Sequence, residues 1–597
     1  RAGKPGSGSE FEARVPVEID GSMTLKVSDW KNLDVIAGQY LRRATHVQRF
    51  YNGLKSCAKT QEEKLLSIVR RNRNSAFGKA HNFDRINSVE DYRRLVPPSN
   101  YEYFEPYIEE LKRGKGNQLT CQEPFMFATT SGTTARPKFV PITPLHVEDY
   151  THAFQVHNYH LVKDMPGGAL GKFLIITSND EEGRTEGGLP YGAVSGMLNK
   201  RQSPVIRRHF ALPFELCKVK DVDAKYYLLL RAALVQNVTA MLACNPSSLL
   251  LLADQMKERA ESLLADIHDG TINKAFVSQV PSYILDAFAP YLKPSPERAG
   301  ALLKLIEEHG RLKPCHVFPD LAVLSCWKGG PMGFYLEQMS DFYGHLKIRD
   351  FGYMASEGRG TVPISSEGAG GPLAVTSHFF EFVHEDDIDK DNKRFYMAHE
   401  LKPGLRYFIF FTTNAGLYRY NINDLMLVES MLFQTPVLSF VRKGGGVSSV
   451  TGEKITEEQV LSALRTTVAA LSLSEIKHFT AEAVLDRPPH YQCYAEVEQG
   501  SERIAFAEDF QEDFLNCFDA QLKTMNPEYA DKRDSKRLGR PRLKLLAPGT
   551  YARLRQQRVM EGAPEAQVKI PLLSPSGFSS RLSSIAAATS LTGGGLA

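Results

Sequence analysis

Apolar residues recur at three- and four-residue spacing from 27 to 78, most clearly through Glu62-Glu63-Lys64-Leu65-Leu66-Ser67-Ile68-Val69. That spacing gathers them on one face of a helix and predicts a helical cover over the start of the fold. In Tyr92-Arg93-Arg94-Leu95-Val96-Pro97-Pro98 the helix is expected to end, because each proline disfavours helical backbone at the residue before it. Another helix is expected over residues 104–112. Beyond it, β-type runs alternate with helical ones. Strands are predicted over 124–128, 171–177, 317–326, 347–351, 379–383 and 406–413, and helices over 145–161, 224–243, 248–266 and 299–309. This alternation predicts mixed α/β sheets.

The texture changes after Pro436, where residues 437–441 lead into Arg442-Lys443-Gly444-Gly445-Gly446. Three consecutive glycines are conformationally permissive, so residues 437–446 are expected to be a hinge before a smaller domain; a plain glycine turn has the same composition. Residues 447–573 carry a predicted helix at 457–471, strands near 480–485 and 492–498, and a helix at 507–525. They form a second, smaller α/β domain after the large domain, 23–436. Residues 574–597 are mostly Ser, Gly, Ala, Leu and Thr and are expected to be a flexible tail. Residues 1–22 read as an added expression linker, with Met23 as the natural start.

At 597 residues the chain is too long for one ordinary core, which fits two or more domains and leaves room for a deep cleft. The net charge of +3, from 72 basic and 69 acidic residues, supplies no strong field toward nucleic acid or membrane. The apolar stretch 226–252 is broken by Arg231, Gln236, Asn237 and Asn245-Pro246, so no membrane span is expected. Eight scattered cysteines without a Cys-x-x-Cys pair favour reduced thiols and a cytoplasmic setting.

Four segments carry candidate chemistry. In Phe125-Met126-Phe127-Ala128-Thr129-Thr130-Ser131-Gly132-Thr133-Thr134, an apolar strand runs into hydroxyls around one glycine, whose O–H and N–H donors suit phosphate oxygens. It lacks the Walker A pattern, and an ordinary turn has the same residues. Ile348-Arg349-Asp350-Phe351-Gly352-Tyr353-Met354-Ala355-Ser356-Glu357 sets an aromatic face and a carboxylate after a strand, as a purine and a magnesium-bound phosphate would need. Tyr418-Arg419-Tyr420-Asn421-Ile422-Asn423-Asp424 ends in an acid able to accept from ribose hydroxyls or to cap a turn. Near the end of the chain, Lys569 in Pro564-Glu565-Ala566-Gln567-Val568-Lys569-Ile570-Pro571 is presented on a stiff segment between prolines.

In this order, over residues 74–571, these segments resemble the Gretchen Hagen type acyl acid amido synthetases. That family lies within the adenylate-forming, firefly luciferase-like superfamily. The turn Gly187-Gly188-Leu189-Pro190 and Phe379-Phe380-Glu381-Phe382 add to the likeness, as does Gly452-Glu453-Lys454. The Thr185-Glu186-Gly187-Gly188 form of the turn and Trp327-Lys328-Gly329-Gly330 resemble the microbial branch. The resemblance implies a large domain of mixed α/β sheets with a small β-barrel-like part and a mobile C-terminal α/β domain. It implies that Thr130, Ser131, Gly132, Thr133 and Thr134 grip the phosphates of ATP. Tyr353, Met354, Ala355 and Ser356 would line the adenine pocket, Glu357 would lie close to Mg2+, and Asp424 would hold the ribose. Lys454 and Lys569 would come from the small domain as catalytic groups. Tyr191, Trp327, Gly329 and Gly330 are candidates for the acid pocket. One departure stands out: the family usually reads Tyr-Arg-Tyr-Arg-Ile/Val-Gly-Asp, and here Asn421 and Asn423 replace the arginine and the glycine.

The expected activity is adenylation of a small carboxylic acid, with release of pyrophosphate, and transfer of the acyl group to the amine of an amino acid. The chain is expected to act as a monomer or weak dimer. Alternatives are an adenylating ligase with coenzyme A as acceptor and a family member that binds ATP without turnover. The basic run Lys532-Arg533-Asp534-Ser535-Lys536-Arg537-Leu538-Gly539-Arg540-Pro541-Arg542 is expected to be a solvated loop rather than a nucleic-acid surface, since no aromatic residues interleave with it.

Overall fold

A helical cover opens the fold. The computed structural model describes residues 33–130, 138–444, 447–448, 453, 455–473, 476–484, 486, 488–498, 508–534, 538–561, 568–574 and 577–583. Helices Leu33–Arg42, Gln48–Lys55 and Cys57–Asn72 follow the three-and-four spacing, and Leu65, Ile68 and Val69 enter the largest core. The cover is bolted down by Gln61, a fully buried amide. Its Nε2 donates to the carbonyls of Val375 and His378, both at 2.8 Å, and its Oε1 accepts from the N–H of Phe380 at 2.8 Å. Satisfied on both ends, the amide escapes the cost of an unpaired buried group.

The hairpin Met126–Thr130 and Lys138–Ile142 is antiparallel, with Thr130 paired to Lys138, and Pro190–Gly192 and Gly183–Arg184 extend its sheet. Next comes the long helix Pro144–Asp164, capped by Thr143, whose hydroxyl accepts from the N–H of His146 at 3.2 Å; proline at the first helical position suits the start. A parallel sheet follows in the order Lys172–Ile176, Val238–Ala243, Val323–Cys326, Ile348–Asp350, with its own core.

Two predicted elements change type here. The helix expected over 224–243 stops at Ala233, and Val238–Ala243 is a central strand. A strand buried on both faces loses the polar alternation that marks most strands, so periodicity alone reads it as more helix. The strand expected over 317–326 begins at Val323, after a helical turn Pro314–Val317 and the break at Pro319-Asp320.

The small β-rich part is a six-stranded antiparallel sheet in the order Gly371–Pro372, Thr435–Lys443, Tyr420–Leu432, Arg406–Thr412, Phe379–His384, Tyr396–Met397. Residues 437–443 of the expected hinge are thus ladder-bonded strand. The C-terminal unit has a four-stranded sheet, Arg542–Leu546, His490–Val497, Ile476–Val484, Leu573–Ser574, covered by helices Glu457–Leu471 and Glu508–Met525. Within the segment expected to be a loose tail, residues 574 and 577–583 are described and belong to the C-terminal unit. Leu573–Ser574 pairs with the sheet, residues 578–583 are helical, and Phe578 is buried because its ring completes an aromatic cluster with Tyr494 and Tyr551. The rest of that segment lies outside the described residues. In the basic run, Arg533 grips Asp519 with Nε at 2.9 Å and Nη2 at 2.8 Å, so it is a helix brace rather than a solvated charge. No helix among the described residues is long and apolar enough to cross a membrane.

A buried ion pair joins the helical cover to the six-stranded sheet. Arg419 has left-handed backbone, φ +47°, and its side chain is buried. Nε and Nη2 donate to the two oxygens of Glu381 at 2.7 and 3.2 Å, and Nη1 donates to the carbonyls of Val96 and Arg93 at 2.9 and 3.2 Å. Arg93 Nε reaches the same carboxylate at 2.8 Å. Truncating one member of such a buried pair strands the other, at about 3–5 kcal/mol. Arg419→Ala is therefore expected to lower the denaturant midpoint by an amount equivalent to roughly that range, whereas an unshifted midpoint would show the pair to be dispensable.

Candidate active site

The last parallel strand, Ile348–Asp350, delivers the chain to the centre of the molecule. Asp350 turns it: Oδ1 accepts from the N–H of Gly352 at 2.6 Å and Oδ2 from that of Gly370 at 3.0 Å. Gly352 has φ +82°, and a Cβ there would lie 2.8 Å from the Thr361 carbonyl oxygen and 2.5 Å from Pro363 Cδ, so glycine is required. Met354–Ala355 then pairs with Gly358–Arg359, leaving Ser356 and Glu357 at the tip of a two-residue turn.

The six-stranded sheet meets this turn with strand Tyr420–Leu432. Tyr420, Ile422 and Asp424 alternate onto one face and line a cleft of about 1680 Å³ together with Tyr353, Ser356 and Glu357. The Tyr353 hydroxyl donates to Asp424 Oδ2 at 2.6 Å, and the Tyr420 hydroxyl donates to Glu357 Oε1 at 3.4 Å. The Tyr353 ring lies parallel to Phe440, 5.9 Å between centroids. Asn421 and Asn423 fall off this face. Asn423 takes φ +61°, the conformation the family's glycine would supply, and its Nδ2 donates to the Gly444 carbonyl at 2.7 Å.

From the C-terminal unit, Lys569 reaches the same cleft, its Nζ 4.7 Å from the centroid of Trp327 and 6.0 Å from that of Phe440. Its segment is held by the Thr480 hydroxyl, which donates to the Pro571 carbonyl at 2.9 Å, and by the Leu572 N–H, which donates to Glu457 Oε1 at 2.7 Å. An ammonium over an indole face is attracted by the ring quadrupole and keeps a fixed position.

Three family models cover most of the chain: the GH3 family N-terminal domain over residues 46–348, the central domain over 371–443 and the C-terminal domain over 458–577. The chain belongs to the GH3 family. Among its relatives, the jasmonoyl–L-amino acid synthetase JAR6 of Nicotiana attenuata is 24% identical, with 88% of this chain and 92% of that protein aligned. The 4-substituted benzoates–glutamate ligase GH3.12 of Arabidopsis thaliana is 23% identical, over 88% of this chain and 94% of that one. Among solved structures, GH3.15 acyl acid amido synthetase superposes with a TM-score of 0.80 at 20% identity, over 91% of this chain and 95% of that chain.

Against this GH3 frame, the expected site residues divide. Tyr353, Met354, Ala355, Ser356, Glu357, Asp424, Trp327, Gly329 and Lys569 line one cleft. Gly330, φ +59°, lets the backbone pass 3.0 Å from the Val441 carbonyl oxygen, measured from a Cβ placed there, and supports the wall from outside. Tyr191 packs edge-on against Phe139, 5.3 Å between centroids, and is not part of the lining. Thr130 ends its strand opposite Lys138, and Lys138 lines the cleft. Ser131, Gly132, Thr133, Thr134 and Lys454 lie outside the described residues.

Sequence reading missed Phe440, which lines the cleft, and two buried or half-buried charges outside the lining, Arg359 and Glu182. Phe440 backs Tyr353, and alternation along Thr435–Lys443 is the signal that marks it. Arg359 is fully buried with its guanidinium 4.2 Å from the Phe154 centroid, donating to the carbonyls of Phe351 and Thr361 at 2.7 and 3.2 Å; burial holds it down to about 10. Glu182, beside strand Met126–Thr130, accepts from the Thr129 hydroxyl at 3.4 Å, and burial pushes its carboxyl up to about 7.

The folded state therefore binds the Glu182 proton more tightly than the unfolded chain does. Its contribution is fully present below pH about 4.5 and is lost as the pH rises through about 7, a difference of roughly 3 kcal/mol at most. Melting wild type and Glu182→Gln from pH 5 to 8 should give curves that separate upward in pH, the variant becoming relatively more stable. Parallel curves would mean that Glu182 ionises normally.

Proposed function

We propose that the chain is an ATP-dependent acyl acid amido synthetase, which adenylates a small carboxylic acid and transfers the acyl group to the amine of an amino acid. The observation that carries this reading is convergence: the Tyr353–Asp424 pair, Glu357 and Lys569 share one cleft with Lys138, which ends the phosphate loop. The activities named for the relatives, a jasmonoyl–L-amino acid synthetase and a 4-substituted benzoates–glutamate ligase, support it.

A carboxylate is a poor acyl donor because oxide cannot leave. In this reading a carboxylate oxygen attacks the α-phosphorus of ATP and pyrophosphate departs with the bonding electrons. Thr130, Ser131, Gly132, Thr133 and Thr134 hold the phosphates, and the backbone from Tyr353 to Ser356 flanks adenine. Tyr353 orients the Asp424 carboxylate toward the ribose hydroxyls. Lys569 sets its charge against the anionic transition state, where fixed electrostatics contributes most. Lys454 joins it from the same unit.

Glu357 is a single carboxylate at a turn tip, and no three acidic, His or Cys side chains among the described residues gather around a metal. That fits magnesium, which binds through one or two carboxylates together with substrate phosphates. Glu357 would be its protein ligand, and the ion would neutralise phosphate charge.

The acid would lie along the apolar wall made by Val147, Phe154 and Leu161 of the long helix and Phe173, Ile175 and Leu242 of the parallel sheet. The expected hinge then narrows to the residues from Gly444 onward, and the eight free thiols suit the cytoplasm. Asn421 and Asn423 turn away from the cleft, which favours a working enzyme over an inert ATP binder.

A pyrophosphate-release screen crossing aromatic, aliphatic and jasmonate-like acids with the standard amino acids tests the proposal. Release that needs both an acid and ATP is expected, with AMP and an amide as products. With the best pair, Lys569→Ala should cut kcat on the order of 100-fold or more while leaving the fold intact. Failure of every acid to release pyrophosphate would end the ligase reading; an unchanged rate in the variant would remove Lys569 from it.

A further inference from the structure

The segment that follows strand Val323–Cys326 meets the C-terminal unit at two places. Trp327, whose N–H donates to the Cys244 carbonyl at 2.9 Å, lies under Lys569. Helix Gly333–Tyr343 comes next, and its far end is pinned to the large domain by the Tyr343 hydroxyl, which donates to the Leu249 carbonyl at 2.7 Å. Near the start of that helix, Tyr335 packs on the core of the parallel sheet and on the core of the C-terminal unit.

The second contact leads back to the first. Tyr335 faces His478, 6.1 Å between centroids, and the His478 ring stacks on Tyr551 at 4.9 Å. His478 belongs to strand Ile476–Val484, in which side chains two positions apart share a face. Thr480 is therefore on the face of His478, and its hydroxyl is the one that holds the Pro571 carbonyl in the Lys569 segment. Burial and the charges of Arg555 and Lys477 hold the His478 imidazole down to about 3, so two uncharged rings meet here near pH 7. Ionic contacts between the same units, such as Lys257 with Glu498 at 3.8 Å, are exposed. Exposed pairs contribute little and are screened by salt, whereas a ring packed on two cores forfeits contacts on both sides when it is removed.

We propose that Tyr335 is a positioning residue, whose ring docks the C-terminal unit on the large domain and so sets Lys569 over Trp327. The assignment rests on the ligase reading above. A lysine that neutralises transition-state charge serves only where that charge develops, and a displacement of about 1 Å caused from a distance can cost on the order of 100-fold.

The test uses the full-length protein, with melting curves to confirm folding, and acid-dependent ATP–pyrophosphate exchange with the best acid to read adenylation. Tyr335→Ala is expected to lower kcat on the order of tenfold or more and to leave the KM for ATP within about twofold. Tyr335→Phe, which keeps the ring, should recover most of the rate. In a Lys569→Ala background, Tyr335→Ala should cost little more, because a residue that acts through Lys569 has nothing left to place. The chain has two tryptophans, Trp30 and Trp327. In Trp30→Phe protein, acrylamide should therefore quench Trp327 more strongly once Tyr335 is replaced by alanine. Wild-type exchange in Tyr335→Ala would overturn the proposal, and so would unchanged quenching or a full additional loss in the Lys569→Ala background. An equal loss in Tyr335→Phe would place the effect on the hydroxyl and overturn docking by the ring. A wild type with no exchange for any acid would bring down the ligase reading itself, and this assignment with it.

Discussion

The placement of the cleft floor depends on one buried charge pair, Arg419 with Glu381. Desolvating two ions is expensive, and the arrangement recovers that cost through five hydrogen bonds to two carboxylate oxygens and two carbonyls. The result is positional. Arg419 stands one residue before strand Tyr420–Leu432, and its own carbonyl accepts from the N–H of Ser99 at 3.1 Å while the Asn421 N–H donates to the Ser99 carbonyl at 2.8 Å. The strand therefore enters the sheet in a fixed register, and because side chains alternate, that register decides that Tyr420 and Asp424 face the cleft.

Around this floor the molecule keeps charge sparse. The long helix Pro144–Asp164 buries His146, His152, His157 and His160, and burial holds His146 and His160 down to about 4 and His152 to about 3. These imidazoles are neutral near pH 7, so the helix adds hydrogen-bonding capacity and no cation to the apolar wall. The cations that do line the cleft come from both units, Arg42, Arg49, Lys138 and Arg201 from the large domain and Arg558, Lys569 and Arg581 from the C-terminal unit. The core supplies shape, and the edge supplies charge.

Much of this was legible in the sequence, for identifiable reasons. The helix Glu457–Leu471 was readable to the residue because Thr456 and Gln459 form a reciprocal cap at a set spacing. The Gly352-Tyr353 and Tyr420-to-Asp424 segments were readable because each needs a specific backbone conformation or alternation that few residues satisfy. Val238–Ala243 was not, since burial on both faces erases its period. Nor was the partnership of Tyr353 with Asp424, or of Arg419 with Glu381: pairings between residues 71 and 38 positions apart depend on how sheets cross, which local pattern does not encode. Phe578 was misjudged because its neighbours in sequence are small and polar, and local pattern does not show that its ring completes a cluster.

The clasp between Asn423 and Gly444 has a mechanical meaning. Gly444 donates its N–H to the Asn423 carbonyl at 2.6 Å, its own carbonyl accepts from the Asn423 amide, and a Cβ on it would strike Asn423 Oδ1 at 2.0 Å. The first residue beyond the central sheet is thus fastened to the neighbour of Asp424 and has no slack for a larger side chain. Under the proposed function, a swing of the C-terminal unit would pull on the same stretch of backbone that carries Asp424. Opening the cleft and loosening its grip on the sugar would then be a single movement, timed by two hydrogen bonds.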